Sequence, residues 1–164
     1  MSDPVEKILH FAAEKGRVSE VSSVLRDHPE INVNRTNEYQ WTPLHAAAFN
    51  GRVEVVKLLL AHPDINVNMK NIYGATCLSL SCLNDSVSVV RMLLEDPRVD
   101  VTLDNKGRTP VWWASLYGQY EVIERLVASG RDLGDIKNKT GKWWGKYYTA
   151  LEIARACERN EIVS

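Results

Sequence analysis

At 164 residues, 45% hydrophobic and 25% charged, the chain has the composition of one soluble globular domain, which excludes a largely disordered protein. A formal charge of −1 and a pI near 6.4 exclude a global field that would steer nucleic acid or an acidic membrane surface to it, so any charge argument is local. Cys77, Cys82 and Cys157 form no even-numbered disulfide framework and show neither CxxC nor zinc-type spacing. They point to a reducing compartment, the cytoplasm, with the nucleus as the alternative.

The first predicted element is a helix, with Asp3 as N-cap, Pro4 at the first helical position and Glu6 three residues after the cap. Charge at nearly every turn of this segment, and no apolar run near the roughly 18 residues of a span, leave a signal peptide or membrane helix unsupported. INVN at 31–34 then recurs at 65–68, an offset of 34. WTPLHAAAFNGRVEVVKLLL (41–60) aligns with ATCLSLSCLNDSVSVVRMLL (75–94) and with RTPVWWASLYGQYEVIERLV (108–127). HPDINV (62–67) becomes DPRVDV (96–101), ILHFAAEKGRVSEVSSVL (8–25) is a weaker upstream copy, and YTALEIARACERNEIVS (148–164) is a copy that stops early. The chain thus reads as five units of one domain, at about 1–34, 35–68, 69–102, 103–137 and 138–164, the last incomplete.

Each unit reads as two short helices. In the second unit Leu44, Ala46 and Ala47 share one face of the first helix, and Val53, Val56, Leu59 and Leu60 give the apolar stripe of the second. Gly16, Gly51 and Gly118 fall between helices, where a positive φ is cheap for glycine. Thr42-Pro43 and Thr109-Pro110 cap and start first helices. Neither helix buries its stripe alone, so the expected fold is an all-α repeat solenoid of stacked helix-turn-helix units.

These residues resemble the ankyrin repeat family: Thr42-Pro43-Leu44-His45-Ala46-Ala47 is its TPLHxA signature, and Gly51 with Val53 to Leu60 completes the pattern. The likeness covers essentially the whole chain and weakens outside the second unit, where Cys77 and Ser79, Trp112, and Ala150 and Glu152 depart from it. It implies helix pairs joined by β-hairpin fingers, a concave face of fingers and first helices that binds proteins, and no catalytic residues. It also implies that His45 is structural. On the same likeness, the expected contact positions are Glu38, Tyr39, Trp41, Phe49 and Asn50 in the second unit, and Ile72, Tyr73, Ala75, Leu83 and Asn84 in the third. Those of the fourth are Asn105, Lys106, Arg108, Leu116 and Tyr117. Tyr39, Trp41, Phe49, Tyr73, Leu83, Leu116 and Tyr117 are expected to form a solvent-facing apolar strip, unless several of these rings pack finger against finger.

No convergent nucleophile, base and stabiliser, no phosphate loop and no metal motif occurs, so neither an enzyme nor a cofactor is expected. His28 and His62 each precede a proline in equivalent copies and read as a repeated turn. Cys77 and Cys82 read as buried small hydrophobes.

The last unit carries six extra residues, Trp143 to Tyr148, in its finger. Trp143-Trp144, Gly145-Lys146 and Tyr147-Tyr148 suggest a hairpin with Gly145 first in a type II′ turn, Trp144 opposite Tyr147 and Trp143 opposite Tyr148, one pair packed and the other outward. Lys137, Lys139, Lys142 and Lys146, with Lys106 and Arg108 before them, make the finger basic against Asp135 alone. Such a patch suits a protein or peptide, an acidic or phosphorylated peptide in particular, and less well a single-stranded nucleic acid. Because EIVS ends early in the covering helix, Leu151, Ile153, Ile162 and Val163 are expected to lack a full partner, through a continuing array or through self-association at this end. The sequence thus favours an interaction module, with a structural segment of a larger scaffold as the competing reading.

Overall fold

The computed structural model describes residues 4–102, 107–135, 138 and 140–157. Asp3, Asn105, Lys106, Lys137, Lys139, Ile162 and Val163 lie outside the described residues, and with them the expected N-cap, part of the fourth finger and the end of the last helix. The described helices are α1 (Pro4–Lys15), α2 (Val18–Asp27), α3 (Pro43–Phe49), α4 (Val53–Leu60), α5 (Cys77–Leu83), α6 (Val87–Glu95), α7 (Pro110–Tyr117), α8 (Tyr120–Ala128) and α9 (Ala150–Ala156). Between α8 and α9 lies an antiparallel pair, β1 (Gly141–Trp143) and β2 (Lys146–Tyr148).

Two rows of helices build the stack. α1, α3, α5, α7 and α9 pack side by side, α2, α4, α6 and α8 form the second row, and each first helix packs on the helix that follows it as far as α8. Apolar burial is continuous from Leu9 through Leu44, Leu78 and Trp112 to Ile153.

First helices are flanked on both sides, and this alters one expectation. Leu44, Ala46 and Ala47 do not define a single buried face, because every residue of α3 from Pro43 to Ala48 is buried. A helix enclosed by neighbours needs apolar or small residues all round, not a stripe. The stripe model holds for the outer row, where Val55, Val56 and Leu59 of α4 are buried while Val53 and Leu60 are partly so.

Threonines start the inner helices from the second unit onward. The hydroxyls of Thr42, Thr76, Thr109 and Thr149 accept from the backbone N–H of His45, Ser79, Trp112 and Glu152 at 3.2, 3.3, 3.0 and 3.2 Å, each satisfying a donor that has no partner within the helix. Gly16, Gly51 and Gly118 turn the chain at φ of 74, 64 and 74°, and in the third unit Asp85 takes that conformation at φ 54°.

Hydrogen bonds then tie unit to unit. Asn34 donates to the Asp64 carbonyl at 2.7 Å and accepts from Asn66 N–H at 2.8 Å, while Asn68 repeats both bonds with Arg98 and Asp100 at 2.7 Å each. The final asparagine of each INVN is therefore a rung between successive turns. Arg52, Asn84 and Arg98 reach back to the helix-end carbonyls of Glu14, Phe49 and Leu60 at 3.2, 2.7 and 2.8 Å. His28 and His62 close turns as expected, their carbonyls accepting from Ile31 and Ile65 at 3.0 and 3.3 Å.

Candidate functional site

The second and third fingers are tight loops organised by one asparagine each. Asn37 Oδ1 accepts from Tyr39 and Trp41 N–H, both at 3.0 Å, and Asn71 Oδ1 from Tyr73 and Ala75 N–H at 2.9 and 3.0 Å. Neighbouring fingers are linked by Ile72 N–H donating to the Tyr39 carbonyl at 3.2 Å. A regular strand ladder occurs, among the described residues, in the fifth finger alone.

At the base of the fingers an inter-unit bond recurs with different donors. His45 Nδ1 accepts from Thr42 N–H at 3.1 Å, so Nε2 carries the proton and donates to the Ala75 carbonyl at 3.2 Å. Burial lowers its pKa to about 4, so the ring is neutral. Trp112, in the same position two units later, donates Nε1–H to the Tyr148 carbonyl at 2.8 Å. The indole thus replaces the imidazole as donor to the next finger, and the six inserted residues do not disturb the bond. His10, in the same register of α1, also faces a finger backbone, at Trp41; burial lowers its pKa, and the Trp41 contact opposes the shift. Sequence reasoning passed over His10, Asn37 and Asn71, although the Leu9-His10 pair and the 34-residue offset of the asparagines were legible signals.

The expected apolar strip divides. Tyr39, Tyr73 and Tyr117 are exposed. Trp41 and Phe49 are partly buried, edge to face at 5.3 Å and 75°, and Leu83 is partly buried against the core. Three positions expected to face solvent do not: Ala75 is 3% exposed, Leu116 is 4% exposed and Arg108 is 7% exposed. Leu116 is enclosed because α7 is flanked by α5 and α9. Arg108 is covered because its guanidinium lies 4.4 Å from the Trp113 ring centre and 5.8 Å from that of Trp112, a cation held over two indoles. Trp113 also stacks on Tyr117 at 6.4 Å and 17°, so Tyr117 carries the outer end of an Arg-Trp-Tyr column.

The long finger is a hairpin, in a register one residue from that expected. Gly141 pairs with Tyr148, Lys142 with Tyr147 and Trp143 with Lys146, leaving Trp144-Gly145 as the central pair of the turn. Their φ values of 46 and 83° are both positive, which makes the turn type I′, with glycine second. The pairings Trp144–Tyr147 and Trp143–Tyr148 are thereby corrected. A cause lies at the base: a Cβ on Gly141 would overlap Arg108 Cγ and lie 2.8 Å from Trp112 Cε2, so the residue without a side chain sits where those two press on the strand. This register also sorts the rings. Trp143 and Tyr148 pack on the core, Trp143 at 6.4 Å from Trp112, whereas Trp144 and Tyr147 are 89% and 65% exposed. Exposed Lys142 places its ammonium 5.9 Å from the Tyr147 ring centre, and Lys146 is also exposed.

Buried thiols complete the inventory. Cys77 Sγ–H donates to the Val67 carbonyl at 3.2 Å, and burial pushes its pKa up to about 12 and that of Cys82 up as well. Both remain protonated and packed. Among the described residues no helix is long and apolar enough to cross a membrane.

Paired helices stacked by nearest-neighbour contact, with finger loops before the second and third pairs and a hairpin before α9, define a helical repeat solenoid. A family model of ankyrin repeats (three copies) matches residues 2–71 and 64–138, and the chain belongs to the ankyrin repeat family. Ankyrin repeat domain-containing protein 49 of Bos taurus is 44% identical over 55 residues, covering 34% of this chain and 22% of that protein. The Mus musculus protein of that name is 42% identical over 55 residues with the same coverage. Alpha-latrocrustotoxin-Lt1a of Latrodectus tredecimguttatus is 43% identical over 61 residues, covering 34% of this chain and 4% of the toxin. The matches thus span about a fifth or less of the relatives' length. Ankyrin repeats are in general protein-interaction modules, typically without catalytic activity.

Proposed function

We propose that this chain binds a protein or peptide on the face formed by its fingers and first helices. The observation that carries the reading is the row of exposed phenols, Tyr39 and Tyr73 at equivalent finger positions and Tyr117 at a first-helix end, on a backbone already ordered by cross-unit hydrogen bonds. A preorganised surface loses little entropy on association, and rigid aromatic rings supply anchor contacts. Trp41, Phe49 and Leu83 add partly accessible apolar surface beside them. The proposed unit boundaries, and a cytoplasmic or nuclear location, accompany this reading.

Replacing Tyr39, Tyr73 and Tyr117 together by alanine is expected to weaken a captured partner about tenfold or more while leaving the unfolding midpoint nearly unchanged, since each ring is exposed. Titration of the purified partner against parent and triple variant measures this, and equal affinities would reject the face. A second reading, a structural segment of a larger scaffold, draws support from the small share of the relatives that the match covers. On that reading the same face contacts a fixed neighbouring domain.

A further inference from the structure

We propose that the long hairpin is a separate docking finger for an acidic segment of a protein partner, with Trp144 as its anchor ring and Lys142 and Lys146 as its charges. This goes beyond the face that carries Tyr39, Tyr73 and Tyr117, because the binding groups sit on the hairpin tip.

The first observation concerns the backbone. Trp144 occupies the left-handed region at φ 46°, where a bulky side chain is an outlier and asparagine or glycine gives the favoured turn. Its ring is 89% exposed and meets Trp143 only in a tilted contact at 6.3 Å. Local folding therefore gains little from tryptophan here. An indole held at a strained tip and left in water is a group presented outward, and strain of this kind concentrates at binding sites.

Charge narrows the partner. From 137 to 148 the sequence has Lys137, Lys139, Lys142 and Lys146 and no acid. The next acid, Glu152, is committed to the helix cap, its carboxylate accepting Thr149 N–H at 2.7 Å. Tyr147 adds a second exposed ring under the Lys142 ammonium. Indole, phenol and ammonium groups within a few residues match a short segment bearing carboxylates next to an apolar side chain. A bilayer or nucleic-acid backbone would meet the rest of a chain whose net charge is −1, whereas a short peptide meets only the tip.

The test selects phage-displayed random peptides on the immobilised chain and measures the winners by fluorescence anisotropy. They are compared on the parent, on Trp144→Asn, on Lys142→Ser/Lys146→Ser and on Tyr39→Ala/Tyr73→Ala, with phosphatidylserine-rich vesicles and oligothymidylate as parallel probes. Trp144→Asn creates the favoured Asn-Gly turn, so its Tm should hold or rise and a failure to fold is not at issue. Expected are acid-rich peptides that lose about tenfold or more in affinity on Trp144→Asn and on the lysine variant, weaken with salt, and are unaffected by Tyr39→Ala/Tyr73→Ala. A selection without acid-rich, Trp144-dependent binders overturns the proposal, as does Trp144-dependent binding of vesicles or oligothymidylate alone. Loss confined to Tyr39→Ala/Tyr73→Ala would support the face of the second and third fingers and remove the hairpin.

Discussion

His45 uses both ring nitrogens, and its surroundings decide its charge. A proton on Nδ1 would point at the Thr42 N–H, so protonation breaks the cap and strands a cation in a buried site. Unfolded, the ring titrates near 6.5; folded, near 4. Between those values the unfolded chain takes up the proton and the folded chain refuses it, so this contribution is full above pH 6.5 and is lost as pH falls toward 4. The loss amounts to about 3 kcal/mol, and His10, also lowered by burial, adds with the same sign. Urea unfolding across this window should show the decline in the parent and a shallower one in His45→Gln; equal slopes would sink the assignment. His45 was legible because it stands inside a complete TPLH signature. Arg108 was not, because its burial depends on Trp113, a side chain outside its own finger whose placement no local pattern states.

Among the elements, the hairpin shows where sequence reasoning stops. The alternation of rings and the glycine made a two-stranded finger legible, and the division into packed and outward rings followed from strand geometry. Its register was not, since Gly145 suits either central position of a tight turn and the choice is made at the other end. Gly141 must lie against Trp112 and Arg108, and Tyr148 must offer its carbonyl to Trp112. Gly141→Ala should therefore destabilise by about 2 kcal/mol, as overpacking of a tight site does. Denaturant unfolding would measure this, and a change within about 0.5 kcal/mol, the range of ordinary surface substitutions, would show that the close approach is not required.

For the whole molecule, stability is a sum over neighbouring units, so the central helices have most to lose. Leu78 of α5 is fully buried between α3 and α7, and Leu78→Ala should cost about 2–5 kcal/mol. Leu151 is exposed on α9, and its replacement by alanine should shift stability by less than about 0.5 kcal/mol. Urea midpoints of the pair decide the matter, and comparable losses would contradict a core that runs through the inner row. The stack was legible because the repeat appears in the sequence as a fixed offset, and repeated offsets imply repeated contacts. The rungs were not, although their asparagines stood in plain view in INVN: a side chain that bonds to the next turn leaves no trace in hydrophobic pattern.

The bond from Trp112 to Tyr148 bears on how such a chain diversifies. It closes the foot of the fifth finger at the last of the six additional residues, so the length of the finger above it is decoupled from the spacing of the helices beneath. Variation can accumulate at the tip, beyond Trp143 and its packing on Trp112, without asking the stack to readjust. For the protein engineer it marks a graft point, where a foreign loop flanked by Trp143 and Lys146 would inherit a ready-made pedestal.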